Sequence, residues 1–397
     1  MYPTIQLQSG KEKSVLRGHP WIFPKAICKI TGQAKDGHFV TICDSAGEYL
    51  AKGVYNSHSL YRVRVLFYAH EKIQDESFEA LIEYRLSQSA AIRHSLNLPN
   101  ISSNAFRLFN SEADGLSGLT IDYYDGVYVV MSSAYWVELR RSSITETITK
   151  IFKPRRLLWM PQLKALQQDG WLESTAEVSH SEHHTMQSVE ILEDGVRYCV
   201  PFAMGQKSGL FLDQRENHAR IASYARGKKI LDLYTYCGGF ALHAAKAGAA
   251  KVTAVDSSGH AIEMATVNAM LNDLEGLIDF QVGDSRKYLE KAADYDIVIL
   301  DPPKLVPSKR HLEKAKNYYR FLHRELFKVM QPASLLLTCN CSSALSTTDF
   351  LQLVVAQAEF VGKRLRVLGV YGPSTCHPLL PNFPEGNYLT AILLAIM

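Results

Sequence analysis

The stretch ILDLYTYCGGFALHAAKAGAAKVTAVD, residues 230–256, decides the fold. It starts as a short apolar strand, turns through a pair of glycines, continues as a helical pattern and ends in a second apolar strand on Asp256. A strand, a helix and a parallel strand in this order form a βαβ unit. Three further strands alternate with helices downstream, over 278–283, 296–301 and 334–340. This alternation predicts a doubly wound parallel sheet.

The end of the chain departs from this alternation. A helix over 346–359 is followed by two apolar segments, RLRVLGVY and YLTAILLAI, which a turn rich in Pro and Gly separates. We expect these segments to form an antiparallel strand pair. A nucleotide-type sheet that ends in an antiparallel strand is typical of methyltransferases that use S-adenosylmethionine. The predicted fold class is therefore α/β, with a C-terminal Rossmann-like class I methyltransferase sheet.

Two smaller domains are predicted before this sheet. Short strand-like segments separated by turns predict a small all-β domain over 1–70, and a mixed pattern predicts a central α+β domain over 71–188. The methyltransferase domain then covers 189–397. The first domain has nine Lys and Arg against four Asp and Glu, a net charge of +5, whereas the whole chain carries only +3. The basic charge is therefore local, which favours a nucleic-acid contact in the first domain.

Composition excludes several classes of protein. The 397 residues are 47% hydrophobic and 21% charged, as in a soluble globular protein and unlike a disordered chain. Seven Cys without a CxxC pair argue against a disulfide framework and a thiolate zinc site. The longest apolar run, 389–397, is too short to span a bilayer, so we expect a cytoplasmic protein without a membrane contact. The cluster of His180, Glu182, His183 and His184 lacks a known metal-site spacing, and we expect no metal.

Ligands of doubly wound sheets bind at the carboxyl ends of the strands, where this sequence places glycines and carboxylates. Gly238 and Gly239 would let the backbone approach a ligand at a helix N-terminus. Asp256 is positioned for ribose hydroxyls, and Asp284 for an adenine amino group, although Asp284 could also only cap the next helix. A nicotinamide dehydrogenase would need GxGxxG, which YCGGFA does not provide. The residues predicted to bind S-adenosylmethionine are Asp232, Tyr234, Cys237, Gly238, Gly239, Asp256, Ser257, Asp284, Ser285, Asp301, Pro302, Gln214 and Arg215.

Two cysteines at the end of the fifth strand suggest covalent catalysis. Cys339 and Cys341 are two residues apart, so both side chains point to one face of an extended strand. Carbon 5 of cytosine or uracil takes a methyl group only after a thiolate has added at carbon 6. Cys341, in a polar Cys-Ser-Ser context, is the predicted nucleophile, and Asp301 is predicted to act near N3 of the ring. For Cys339 we favour a structural role as a small buried side chain over a catalytic one.

Basic residues after the fourth strand predict an RNA contact. Residues 304–328 contain eight Lys and Arg against two Glu, with Tyr318 and Tyr319 among them, which suits phosphate contacts and base stacking. An exposed helix face is the alternative. Lys304 follows DPP at the position where enzymes that methylate exocyclic amino groups typically have an aromatic residue. That residue stacks on the base, which Lys304 cannot do. The residues predicted to contact RNA are Arg17, Lys207, Lys304, Lys309 and Arg310.

Together these features resemble the bacterial 23S ribosomal RNA large-subunit cytosine-5 methyltransferases that carry an N-terminal PUA RNA-binding domain. The resemblance rests on LRGHPWIF (16–23), EADGLSGLTIDYYDG (112–126), GQKSGLFLDQREN (205–217), LDLYTYCGGFALHAA (231–245), DPPK (301–304), TCNCSS (338–343) and HPLLPNFPEGNYL (377–389). It implies a ribosomal RNA substrate, Cys341 as nucleophile and Asp301 as its partner at the pyrimidine. In one departure, Lys304 replaces a second Cys that assists product release in many RNA cytosine-5 methyltransferases, so a nearby base or Cys339 would have to serve.

Two alternatives remain open at this point. One is a methyltransferase with the same fold that modifies another RNA base without a covalent adduct. The other is a non-catalytic RNA-binding protein that retains the sheet as a scaffold. The sequence also leaves the oligomeric state open, with a homodimer among the options.

Overall fold

The computed structural model describes residues 2–71, 75, 77–172, 188–201, 210–305 and 311–397. The first sheet is built from β1 (Thr4–Leu7), β2 (Trp21–Ile22), β3 (Ile27–Thr31), β4 (Phe39–Cys43), β5 (Tyr49–Tyr55) and β6 (Val63–Tyr68). The strand order is β2-β6-β5-β4-β1-β3, with a short helix α1 (Glu12–Leu16) between β1 and β2. Ile5, Val40 and Ile42 are fully buried in its interior. The predicted all-β N-terminal domain is confirmed.

The central part of the chain forms a four-stranded sheet covered by helices. Its elements are α2 (Phe78–Ser95), β7 (Ala105–Asn110), β8 (Leu119–Tyr124), β9 (Val127–Ser132), α3 (Tyr135–Leu139), α4 (Arg141–Phe152), β10 (Arg156–Pro161) and α5 (Leu163–Gln168). The strand order is β10-β9-β8-β7, and β9 pairs with β10 in parallel. One hydrophobic core joins this sheet to the first one, because Phe39 and Phe67 pack with Phe78 and Leu81 of α2.

The third part contains a hairpin, β11 (Ser188–Glu193) and β12 (Val196–Pro201), followed by the largest sheet. The elements of that sheet are α6 (Arg215–Ala222), β13 (Lys229–Leu233), α7 (Gly239–Lys246), β14 (Lys251–Asp256), α8 (Gly259–Met270), β15 (Ile278–Val282), β16 (Ile297–Leu300), α9 (Leu312–Val329), β17 (Leu335–Cys341), α10 (Thr347–Phe360), β18 (Leu365–Tyr371) and β19 (Leu389–Ile396). The strand order is β15-β14-β13-β16-β17-β19-β18. β19 is antiparallel to both of its neighbours and the other pairs are parallel, which confirms the predicted methyltransferase topology.

Both faces of the inner strands are covered, so β13, β14, β16, β17 and β19 are apolar almost throughout, whereas the edge strands β15 and β18 are largely unburied. Ile230 and Ile299 face one core, while Leu231 and Val298 face the other, as the two-residue period of a strand requires. The β11–β12 hairpin contributes Tyr198 to the first of these cores, which also contains residues of the central sheet. Among the described helices, none is long and apolar enough to cross a bilayer.

Candidate active site

The loop between β13 and α7 has an unusual backbone. Tyr234, Tyr236 and Gly238 have φ angles of 66°, 52° and 89°. A left-handed φ costs a non-glycine residue roughly 1–2 kcal/mol, and such strain concentrates at functional sites. The backbone N–H of Tyr236 donates a hydrogen bond to Asp256 Oδ2 at 2.9 Å, so the carboxylate at the end of β14 holds the loop in this conformation.

Each of the two glycines in this loop is needed for a different structural reason. Gly238 is the N-cap residue of α7 and has a positive φ. Gly239 has an ordinary φ, but a Cβ added there would lie 2.5 Å from the His218 ring. The sequence suggested that both glycines leave room for a ligand, whereas at Gly239 the imidazole of His218 takes that space. Cys237, between them and Tyr236, is buried, and burial raises the pKa of its thiol.

Two buried polar atoms at the carboxyl ends of β13 and β15 lack a hydrogen-bond partner among the described residues. They are Asp232 Oδ1 and Ser285 Oγ. The other carboxylate oxygen of Asp232 accepts a hydrogen bond from the Thr235 hydroxyl at 2.6 Å. Burial raises the pKa of Asp232 to about 6, although Thr235 opposes this shift. Because buried polar groups normally have partners, these atoms fit a polar ligand such as S-adenosylmethionine at this edge of the sheet.

The carboxylates at the ends of β14 and β15 differ in how free they are to accept hydrogen bonds from a ligand. Asp256 accepts backbone hydrogen bonds from Tyr236 and, at 2.9 Å, from Ser258, and each oxygen can accept another. The neighbouring Ser257 is exposed. Asp284 instead caps the following 3-10 helix and binds the guanidinium of Arg286, which lowers its pKa. The capping role considered from the sequence is therefore present, and an adenine contact at Asp284 stays a prediction.

A thiol and a carboxyl meet at the ends of β16 and β17. Cys341 Sγ lies 3.8 Å from Asp301 Oδ1, and Cys341 is partly exposed. Cys339, two residues earlier, is fully buried in the sheet's core. The Gln214 amide donates to Asp301 Oδ2 at 2.9 Å and lies 3.6 Å from Cys339 Sγ. The sequence-predicted pair of Cys341 and Asp301 is thus brought together.

Gln214 and Arg215, predicted to bind the cofactor, make contacts within the protein. Asn217 donates to Gln214 Oε1 at 2.7 Å, which orients the Gln214 amide towards Asp301. Arg215 is buried and lies 3.3 Å from Glu216 and 3.8 Å from Asp194. A cofactor contact by either residue stays a prediction.

Burial controls the charges of the thiol and the carboxyl. It raises the pKa of Asp301 to about 7, and the nearby carboxylates of Asp213 and Asp232 add to this effect. It also raises the pKa of Cys341 well above its usual value, with further increases from Asp301 and Asp213 and an opposing effect of Lys304. Near neutral pH, Asp301 is therefore populated as both acid and base, and the Cys341 thiol needs a proton acceptor to become nucleophilic.

The predicted RNA contacts are only partly described. Lys304 and Arg17 are exposed, Lys304 just beyond the buried Pro302 and Arg17 at the C-terminus of α1. Tyr319 is fully buried in the core under α9, so its predicted part in base stacking is wrong. The amphipathic period of α9 places it on the inner face. The predicted residues that lie outside the described residues are Lys207, Lys309 and Arg310, together with the cluster His180, Glu182, His183 and His184.

A buried His and Glu cluster stands behind the glycine loop. In the part of the chain that the structure describes, Glu193, His218 and His243 place one ligand atom each within 4.8 Å of one another. Glu193 Oε1 lies 2.7 Å from His218 Nδ1 and 3.2 Å from His243 Nε2. Burial opposes the charge of Glu193, but the two imidazoles lower its pKa to about 2. This donor set could hold a divalent transition metal ion, so the expected absence of a metal stays a prediction.

Comparison with known proteins agrees with this geometry. Residues 5–68 match a PUA-like domain, and residues 115–364 match the S-adenosylmethionine-dependent methyltransferases. The ribosomal RNA large subunit methyltransferase I of Alteromonas mediterranea is 33% identical over 402 residues, which cover 100% of this chain and 99% of that protein. The protein of the same name from Aeromonas salmonicida is 33% identical over 395 residues, 98% of each chain.

A solved structure supports the fold over the whole length. A SAM-dependent methyltransferase from Streptococcus mutans superposes with a TM-score of 0.82 at 20% sequence identity, covering 99% of both chains. The chain therefore belongs to the family of S-adenosylmethionine-dependent methyltransferases with an N-terminal PUA-like domain that includes the ribosomal RNA large subunit methyltransferases I, and its cofactor is S-adenosylmethionine.

Proposed function

We propose that this enzyme methylates carbon 5 of a cytosine in large-subunit (23S) ribosomal RNA through a covalent adduct between Cys341 and carbon 6. The names of the relatives and the PUA-like domain support a ribosomal RNA substrate. The choice of carbon 5 depends on one observation, the 3.8 Å approach of a partly exposed thiol to a carboxyl at the ligand-binding edge of the sheet. A methylation without a covalent adduct would not need that thiol.

The first step is a proton transfer and an addition. Asp301 Oδ1 accepts the Sγ proton of Cys341, and the sulfur electron pair forms the bond to carbon 6 of the cytosine. The electrons of the carbon 5–carbon 6 double bond move into the ring, and the Asp301 acid stabilises them by donating a hydrogen bond at N3. A carboxyl with a pKa of about 7 can perform both transfers near neutral pH.

Methyl transfer and release complete the cycle. Bound S-adenosylmethionine would supply an electrophilic methyl group: carbon 5 of the adduct would bond to the methyl carbon as the methyl–sulfonium bond breaks, which leaves S-adenosylhomocysteine. Loss of the carbon 5 proton then restores the double bond as the carbon 6–sulfur bond breaks and Cys341 leaves. The target base has to leave its stack to meet the thiol. Lys304, exposed beside this edge, and Arg17, in the PUA-like domain, are suited to phosphate contacts.

The test compares Cys341→Ala with Cys28→Ala, which removes an exposed thiol on β3. Each protein is incubated with methyl-labelled S-adenosylmethionine and 23S ribosomal RNA from cells that lack the enzyme, and nucleosides are identified by mass spectrometry. We expect 5-methylcytosine with wild type and Cys28→Ala, and none with Cys341→Ala. Methylation of a different base by Cys341→Ala would support the non-covalent alternative. Failure of wild type to bind S-adenosylmethionine in calorimetry would support the scaffold alternative.

A further inference from the structure

The proposed cycle needs a base that removes the proton from carbon 5. Lys304 stands where many RNA cytosine-5 methyltransferases have a second Cys, and a lysine ammonium cannot accept a proton. Cys339 is fully buried in the core, and burial raises the pKa of its thiol well above the usual value. Asp301 is already used at N3 of the ring. The base therefore has to be another group near Cys341.

A carboxylate and a phenol lie at this edge of the sheet. Asp213 directly precedes Gln214, whose amide binds Asp301. Tyr388 directly precedes Leu389, the residue of β19 that pairs with Cys341. The Tyr388 hydroxyl donates a hydrogen bond to Asp213 Oδ2 at 2.7 Å, so these two side chains, 175 positions apart in the chain, form one unit. The negative charge of Asp213 also raises the pKa of the Cys341 thiol.

The backbone of Asp213 is fixed in place. Its carbonyl oxygen accepts hydrogen bonds from both the backbone N–H of Ser374 at 2.8 Å and the Ser374 hydroxyl at 2.9 Å. The residue is part of a 3-10 helix, Leu212–Gln214. One oxygen of the carboxylate is bound by Tyr388, which leaves lone pairs for a further contact. This arrangement holds a proton acceptor rigidly, as general base catalysis requires.

We propose that Asp213 is the general base that removes the carbon 5 proton, and that Tyr388 is the positioning residue that orients its carboxylate. The inference rests on the proposed function. In the step, an Asp213 oxygen takes the proton, the carbon–hydrogen electron pair forms the carbon 5–carbon 6 double bond, and the carbon 6–sulfur pair returns to Cys341 as thiolate. The cycle is closed when Asp301 returns its proton to the Cys341 thiolate and Asp213 releases the carbon 5 proton to water.

The surroundings of Asp213 suit this role. Burial raises the pKa of Asp213, the Tyr388 hydrogen bond and the Arg107 charge oppose this, and Asp122 adds to it. The charge of Asp213 in turn raises the pKa of both Asp301 and Cys341. A carboxylate whose pKa is raised towards neutrality is a stronger base than a solvated one.

The decisive variant is Asp213→Asn, with Glu216→Gln as a control that neutralises a carboxylate on the adjoining turn. Each protein is incubated with 23S ribosomal RNA and methyl-labelled S-adenosylmethionine and separated under denaturing conditions. We expect Asp213→Asn to accumulate a labelled covalent protein–RNA complex, with turnover reduced by roughly 10²–10⁴-fold. The control should turn over without accumulating it. Adding Cys341→Ala to Asp213→Asn should abolish the complex.

Tyr388→Phe tests the positioning role and does not depend on the stability of Asp213→Asn. Removing the hydroxyl should raise the pKa of Asp213, since the hydrogen bond lowers it. The base acts when deprotonated, so the acidic limb of the pH profile for release should shift to higher pH. Wild-type release by Asp213→Asn, or an unshifted acidic limb for Tyr388→Phe, would overturn the inference. Reduced turnover of Asp213→Asn without any complex would also overturn it. Absence of 5-methylcytosine with wild type would instead refute the proposed function.

Discussion

Asp301 should make the stability of the protein fall as the pH rises. Its pKa is raised from 3.8 to about 7, so folding favours the protonated form. The resulting stabilisation is fully present below pH 4 and is lost as the pH passes through 7. Integrating between these two pKa values gives a loss of about 2.5 kcal/mol in the free energy of unfolding between pH 5 and pH 8.

The substitution Asp301→Asn removes this titration and retains an oxygen for the Gln214 hydrogen bond. We expect the variant to gain about 2.5 kcal/mol over wild type on going from pH 5 to pH 8, measured by urea unfolding at each pH. Asp279→Asn, at an exposed carboxylate on β15, is the control and should follow wild type. If Asp301→Asn and wild type lose stability in parallel, the carboxyl is not held in its acid form and does not serve as both base and acid near neutral pH.

Substitutions at Gly239 and Lys304 test the glycine loop and the proposed RNA contact. Gly239→Ala should weaken S-adenosylmethionine binding in calorimetry and destabilise the protein by about 1–3 kcal/mol, because its Cβ would lie 2.5 Å from the His218 ring. In a His218→Ala background the same change should be much milder. Equal effects in both backgrounds would contradict the contact between residue 239 and His218. Lys304→Ala should lower RNA affinity and reduce the slope of log affinity against log salt concentration by about 1, as expected for one lost phosphate contact. An unchanged slope would mean that Lys304 does not contact a phosphate.

The sheet could be predicted because its order follows from local signals. Each strand is a short apolar run, and three of the helices between strands follow a Gly or a capping Ser: α7 follows Gly238, α8 follows Ser258 and α10 follows Ser346. The two-residue alternation also predicted that Cys339 and Cys341 share a face. It could not predict that only Cys341 is partly exposed, because the cover over Cys339 includes Gln214, which comes from a segment 125 positions earlier.

Other features of the site depend on contacts that no local pattern shows. Asp213 lies in the segment GQKSGLFLDQREN before β13, but its partner Tyr388 comes from the end of the chain, and no local pattern joins the two. The imidazole of His218 explains Gly239 only once α6 and α7 are packed together. From the sequence, the carboxylate of Asp284 had two possible uses; the structure shows the helix cap, in which the backbone N–H of Arg286 donates to Asp284, and the adenine contact stays a prediction.

The continuous cores have a consequence for how a target is chosen. Phe39 and Phe67 tie the first sheet to α2, and Tyr198 of the hairpin ties the central sheet to the methyltransferase sheet. Apolar joints of this kind resist hinge motion, so we expect the spacing between the PUA-like domain and Cys341 to be set before any RNA arrives. The enzyme would then select a base by its distance from the RNA segment bound to the PUA-like domain, as well as by the chemistry of the base.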